Sequence, residues 1–190
     1  MGALPITRIS VEEYLAADRV AELRSEYHDG EVFPVVAASW AHSLLTVNLG
    51  RRLSERLDGT PCRVAGAPRV RATARNYVYP DVAIVCGQPQ LADSHADIVL
   101  NPQVIIEVLS PSTADFDYGG KFALYRTLSS LQEYILVSQD AYLVEVFRRV
   151  PEHQWMLSSY AGAEAVVPIE CLSIALPLTE LYAGVEIQAA

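Results

Sequence analysis

Two acidic residues and one lysine are the parts of this sequence best suited to chemistry. Glu107 stands inside Val104-Ile105-Ile106-Glu107-Val108-Leu109, an otherwise apolar run that reads as an inner strand. A carboxylate buried there is costly unless it is protonated, paired or bound to a cation. Asp81 raises the same question at the head of a second apolar strand, where strand alternation puts Asp81, Ala83 and Val85 on one face. If those two strands are neighbours, Asp81 and Glu107 converge on one hard cation. Mg²⁺ takes one or two carboxylates and keeps waters for a substrate phosphate, so the chemistry implied is phosphodiester hydrolysis. Taken singly, either acid also fits a plainer role, Asp81 as a turn residue after Pro80 and Glu107 as the partner of an arginine.

Lys121 is the only lysine in the chain. In a sequence that otherwise uses arginine, it marks a place where a compact ammonium suits better than a planar guanidinium. Such a group can orient an attacking water or stabilise charge building on a phosphate. Asp117, four residues earlier, offers the alternative of an ordinary helix-surface pair of about 0.3 to 0.5 kcal/mol. Ser110-Pro111-Ser112-Thr113 has no Gly-x-Ser-x-Gly elbow around it, and His95 and His153 lack companions at metal-ligand spacing. Trp40 and Trp155 fit core or interface better than a platform for stacking bases, whereas Tyr77 and Tyr79 lie beside Arg75 in sequence.

The elements that must position these groups can be read in outline. Ser10 and Glu13 form a capping box that opens a helix ending before His28-Asp29-Gly30. A strand over 31–37 follows, and Pro34 marks it as an edge or a bulge. Ser39 caps a second helix on which Leu44, Leu45, Leu49, Leu53 and Leu57 recur at helical spacing until Asp58-Gly59 stops it. Short β-branched runs predict strands over 62–72, 79–86 and 104–109. A third helix opens at Asp115 or Asp117 and runs through Leu128, followed by strands over 133–137, 143–149 and 154–160. Residues 171–185 carry too few signals to assign. That order predicts an α/β (mixed α+β) fold with a central mixed sheet flanked by helices.

At 190 residues the chain has the length of one domain, 1–190, without repeats or linkers. Hydrophobic residues at 51% against 19% charged exclude a disordered chain. No run approaches the roughly 20 apolar residues of a membrane helix, and residues 1–10 lack the apolar core of a secretory signal, so a cytoplasmic location is expected. Cys62, Cys86 and Cys171, odd in number and scattered, are expected to be buried free thiols. The net charge of -9 argues against a general nucleic-acid binder. Seven arginines between Arg51 and Arg75 nonetheless form a basic stretch beside an acidic one.

Several motifs together resemble the Uma family of restriction endonucleases, which is assigned to the PD-(D/E)xK superfamily. They are Pro80-Asp81, Glu107-Val108-Leu109-Ser110-Pro111-Ser112-Thr113, and Asp117 with Lys121-Phe122-Ala123-Leu124-Tyr125-Arg126. The likeness extends to His28-Asp29-Gly30-Glu31, Ala38-Ser39-Trp40-Ala41-His42, Ser130-Leu131-Gln132-Glu133-Tyr134 and Leu176-Pro177-Leu178, so it covers nearly the whole chain. It implies a restriction-endonuclease-like sheet with Asp81 and Glu107 as metal ligands on adjacent strands. The superfamily's lysine belongs two residues after the Glu, where this chain has Leu109; the resemblance implies that Lys121, on the following helix, replaces it. It also implies accessory roles for Glu31, which resembles an extra acid that holds a metal-bound water, and for His42, facing the site or a phosphate. The activity expected is Mg²⁺- or Mn²⁺-dependent cleavage of DNA by a homodimer. The alternative is a nuclease fold kept for binding or assembly, with a vestigial acidic pocket.

Overall fold

Glu107 does lie on an inner strand, and the sheet around it accounts for the apolar residues on both sides of it. The computed structural model of the protein describes residues 8–35 and 38–187. In chain order the elements are α1 (Val11–Asp18), β1 (Ser25–His28), β2 (Glu31–Pro34), α2 (Trp40–Arg56), β3 (Cys62–Gly66), β4 (Arg69–Thr73), β5 (Asn76–Val78), β6 (Val82–Cys86), β7 (Ile98–Val99) and β8 (Val104–Leu109). They continue with α3 (Ala114–Phe116), a π-helical turn (Asp117–Lys121), α4 (Phe122–Tyr125), β9 (Glu133–Ser138), β10 (Leu143–Val150), β11 (Gln154–Ala161), β12 (Val166–Ile169), β13 (Ile174–Pro177) and α5 (Leu178–Leu181). A six-stranded sheet runs in the order β11-β10-β9-β8-β6-β3, antiparallel except for the parallel β8–β9 pair. This is the mixed sheet expected. A second sheet of five strands, β2-β1-β5-β4-β7, and a small β12–β13 hairpin complete the fold.

Alternation along the inner strands divides the core into two faces. Val104, Ile106 and Val108 of β8 pack with Val82 and Ile84 of β6 against Leu45, Leu49 and Leu53 of α2. Ile105 and Ala83 point the other way and pack with Tyr125, Leu131 and Tyr134 beneath α4. Glu107 therefore shares the face of Ile105, under the helical segment that carries Lys121. The capping box at Ser10 is present, its amide donating to Glu13 at 2.7 Å and its hydroxyl accepting from the Glu13 amide at 3.2 Å.

Four expectations need correction. The first helix ends at Asp18, and the segment before Asp29-Gly30 is a strand, β1, that pairs with β2 from His28↔Glu31 to Ser25↔Pro34. The strand expected over 31–37 is formed over Glu31–Pro34 at the edge of its sheet; residues 36 and 37, like residues 1–7, lie outside those described. The third helix is not continuous, because a π-helical turn interrupts it. Finally, Cys62 and Cys86 are cross-strand partners of β3 and β6 joined by a disulfide, and Cys171 is exposed. The odd count hid this pair because register, not spacing in the chain, brings the two sulfurs together.

Among the described residues, no helix is long and apolar enough to cross a membrane. Trp155 packs against the core, as expected, but Trp40 at the start of α2 is 79% exposed. Tyr77 is a core residue and Tyr79 is tied into polar contacts, so neither offers a free stacking face.

Candidate active site

Asp81 immediately precedes β6 and Glu107 lies in β8; the ladder pairs Val82 with Ile106, which brings Asp81 opposite Glu107. The Asp81 amide stands 3.4 Å from Glu107 Oε2, and Asp81 Oδ2 accepts from the Val108 amide at 2.7 Å. His42, in the first turn of α2, approaches Asp81 Oδ2 through Nε2 at 3.2 Å. Tyr125, on α4, donates its hydroxyl to Glu107 Oε1 at 2.9 Å. The two acids thus face one cavity of about 410 Å³, which His42, Ser39, Gln139, Ser110, Asp117 and Lys121 also line.

Lys121 reaches the same point from the π-helical turn. Its Nζ lies 3.1 Å from Glu107 Oε1, 3.3 Å from Glu26 Oε1 and 3.6 Å from Asp117 Oδ1. Asp117 and Lys121 are the two buried ends of the turn Asp117-Tyr118-Gly119-Gly120-Lys121, and such π-helical turns recur at functional sites. A Cβ at Gly120 would collide with the ring of Phe116, which is 41% exposed and would have to shift. Asp117 and Lys121 are both buried, so the surface pair weighed from their spacing is not what forms. Asp117 Oδ1 is a buried oxygen without a hydrogen-bond partner among the described residues.

One member of the cluster escaped the sequence reading. Glu26 of β1 is buried, accepts the Tyr79 amide at 3.0 Å through Oε1, and meets His28 Nε2 at 3.2 Å through Oε2. Glu31 does not join the cluster; it is half-buried and faces Arg8 at 3.8 Å. The hairpin register accounts for the difference. Glu26 and Glu31 share one face of the β1–β2 pair, but Glu31 stands opposite His28, two residues nearer the turn, about 7 Å along the strand.

Charge and burial set the protonation of these groups. Burial pushes the Glu107 carboxyl well above the usual carboxylate range, opposed by the Lys121 ammonium and reinforced by Asp81, Asp117 and Glu26. Burial likewise raises Asp117 against the pull of Lys121. For Glu26 burial is outweighed by the His28 hydrogen bond, the Lys121 charge and the Tyr79 amide, so its pKa is lowered. Lys121 is desolvated, yet Glu107, Glu26 and Asp117 hold its proton more tightly than usual. His42 is also raised, Asp81 outweighing the effect of burial.

A pH dependence follows with a definite sign. A carboxyl whose folded pKa is raised stabilises the fold fully below its ordinary value, 3.8 for Asp117, and loses that contribution as pH rises through the folded pKa. Asp117→Asn is therefore expected to gain stability relative to the wild type as pH rises from about 4 to 8, and to show no such gain at the acid end. Urea denaturation of both proteins at several pH values, without divalent ions, checks this; a difference that does not change with pH would refute it.

The basic stretch between Arg51 and Arg75 is largely neutralised. Arg51, Arg52 and Arg56 pair with Glu55 or Glu180, Arg69 with Asp18 and Asp97, and Arg75 with Asp29.

A mixed sheet with acids from adjacent strands and a lysine aimed at one of them defines a nuclease-like fold. Solved structures agree on the fold: the chain is similar to that of a "putative nuclease belonging to DUF820" from Anabaena variabilis. The TM-score is 0.77 at 19% identity, over 92% of this chain and 98% of the other. The family profile described as "Putative restriction endonuclease", Uma2, matches residues 11–179, and the chain belongs to that family. Among its relatives are two uncharacterized proteins of Synechocystis sp. The first, sll1609, is 36% identical over 168 residues, covering 87% of this chain and 95% of its own. The second, slr1290, is 29% identical over 182 residues, covering 95% and 94%.

Proposed function

We propose that the protein is a Mg²⁺- or Mn²⁺-dependent endonuclease that hydrolyses DNA phosphodiester bonds. The observation that carries this reading is the meeting of Asp81, Glu107 and the sole lysine in one cavity. The residues suit a divalent cation. Four carboxylates, Glu26, Asp81, Glu107 and Asp117, line the cavity with the buried Lys121 ammonium, His42 meets Asp81 and His28 meets Glu26, and an oxygen of Asp117 lacks a partner among the described residues. Among the described residues, no group of three or more His, Cys, Asp or Glu is already arranged as a metal cage. Mg²⁺ needs only one or two carboxylates and completes its shell with water and phosphate.

Asp81 and Glu107 would hold the ion, whose chemistry is to polarise a phosphoryl oxygen and acidify bound water. His42 and the Val108 amide fix the Asp81 carboxylate, and the Tyr125 hydroxyl fixes Glu107. Lys121 keeps its proton among three acids, so it acts as a donor: it orients the attacking water or stabilises charge on the phosphate, and does not serve as a base. The water-holding role expected of Glu31 suits Glu26 better, since Glu26 already touches Lys121.

Plasmid nicking with and without Mg²⁺ or Mn²⁺ tests this reading. Cleavage should require the ion, fall roughly 10- to 100-fold in Glu26→Gln, and change little in Glu31→Gln. Loss in Glu31→Gln with full activity in Glu26→Gln would reverse the assignment, and absence of metal-dependent cleavage would reject the function.

The inert reading, a nuclease fold kept for binding or assembly, is favoured by the net charge of -9 and by the pairing of five of the seven arginines between Arg51 and Arg75. Calorimetric titration separates the two, since an inert pocket takes up no Mg²⁺ or Mn²⁺. We further propose a two-fold homodimer, which would present two sites to a duplex. Its support is the edge strand β11, Gln154–Ala161, which carries no charged residue and exposes Met156 and Leu157. Light scattering should give twice the 20.8 kDa chain mass; a monomer at micromolar concentration would reject the dimer.

A further inference from the structure

A second polar network, behind the cavity, grips the chain on both sides of the acidic cluster. Asp18, the last residue of α1, is almost wholly buried, its side chain 1% exposed. Its Oδ1 accepts from the Ser25 amide at 2.7 Å and from the Ser25 hydroxyl at 2.8 Å. Its Oδ2 accepts from the Tyr79 hydroxyl at 2.7 Å and from Arg69 Nη2 at 2.5 Å. Arg69 closes the circuit, donating through Nε to the Tyr79 hydroxyl at 2.7 Å and through Nη1 to Asp97 at 2.7 Å. Ser25 is the residue before Glu26, and Tyr79 is two residues before Asp81 and donates its own amide to Glu26.

The location of this circuit matters because Glu26 and Asp81 come from different sheets. β1 belongs to the five-stranded sheet and β6 to the six-stranded one; the β1–β5 ladder pairs Tyr27 with Tyr77 and β5 ends at Val78, so it does not extend to Asp81. Asp18 touches neither acid, yet one of its oxygens holds the neighbour of Glu26 and the other holds the segment leading to Asp81. Plain structural duty would be met by the Arg69–Asp18 ion pair alone. The bonds to Ser25 and to the Tyr79 hydroxyl add direction, since they end on the two chain segments that deliver the acids.

We infer that Asp18 is a positioning residue which, through Ser25 and Tyr79, fixes the spacing of Glu26 and Asp81 and so sets the cavity's affinity for a divalent cation. This rests on the metal-dependent reading of the site. Outer-shell groups that hold a ligand in place change metal affinity about 10- to 100-fold when altered, and Asp18 acts one step further out, through Ser25 and Tyr79.

Tyr79→Phe and Asp18→Asn test it in the full chain, with Mn²⁺ as the calorimetric probe and hydrogen exchange as an independent measure. Tyr79→Phe removes only the hydroxyl and keeps the ring and the amide, so it carries the test if Asp18→Asn fails to fold. In Tyr79→Phe, Mn²⁺ affinity should fall about 10-fold or more. Exchange should quicken at the amides of residues 79 and 108, which donate to Glu26 and Asp81, and stay unchanged along β9 and β10. Affinity within twofold of the wild type overturns the inference even if exchange quickens, because that is the result of a merely structural role. If the wild type binds no Mn²⁺, the metal reading falls, and the positioning claim is then decided by exchange alone, unaltered rates at 79 and 108 overturning it.

Discussion

Glu107→Gln is expected to lower metal-dependent cleavage about a thousandfold, near 4 kcal/mol of transition-state stabilisation, without lowering the stability of the fold. The side chain is almost fully buried, and its neighbours set opposite demands on the two properties. For the chemistry, Gln keeps the shape but removes the charge that faces Lys121 and the Asp81 segment. For the fold, an ionised carboxylate at this position is the costly form, which is why burial raises its pKa. A neutral amide avoids that cost, while Lys121 still has Glu26 and Asp117 beside it. Single-turnover cleavage measured alongside urea denaturation resolves the two effects. Full cleavage in the variant would reject the site, and unfolding would show that Glu107 serves the fold first.

Lys121→Met should have the opposite character, damaging stability as well as chemistry. It strips the one ammonium from between Glu26, Glu107 and Asp117 and leaves three buried carboxylates facing one another. Breaking a buried pair by removing one partner costs about 3 to 5 kcal/mol, which for a chain of this size lowers Tm by roughly 10 °C. The loss should shrink on acidification. Without the ammonium, Glu107 and Asp117 are raised further, so their stabilising neutral forms are fully present below their ordinary values, 4.5 and 3.8, and are lost as pH rises. Adding Glu107→Gln to Lys121→Met should recover part of the Tm at pH 7. Thermal melts of the two variants at pH 4 and pH 7 measure this, and a pH-independent deficit would contradict the arrangement. Lys121→Arg should not restore cleavage, because a planar fork cannot take the place of a compact ammonium beside Glu107.

How much of this was legible in the sequence differs from element to element. The helix from Trp40 was readable because its leucines repeat at helical spacing and Ser39 caps it. β8 was readable because an apolar run of six is the length of a buried strand, and the single carboxylate within it drew notice to that run. The first sheet was not. β1 reads Ser-Glu-Tyr-His and β5 reads Asn-Tyr-Val, too short and too polar to show alternation, and they are strands because they pair across the fold through Tyr27↔Tyr77. Glu26 was missed for the same reason, since it was read as the tail of a helix and its burial comes entirely from tertiary packing. Glu31 was expected instead because it resembles the superfamily's extra acid, but it lies two residues along the hairpin from where the cluster forms. Lys121 was found by its rarity. Its burial comes from tertiary packing around a π-helical turn, which the residues of the turn do not announce.

The placement of that lysine among acids also bears on how the chain first acquires its shape. Proteins whose ligands repel one another often remain unfolded until an ion arrives. Here the polypeptide supplies its own counterion: Lys121 stands where it already quiets the mutual repulsion of Glu26, Glu107 and Asp117. Newly made chains can therefore close this cavity without waiting for an ion; if the cavity takes a divalent cation as proposed, that ion enters a site already built.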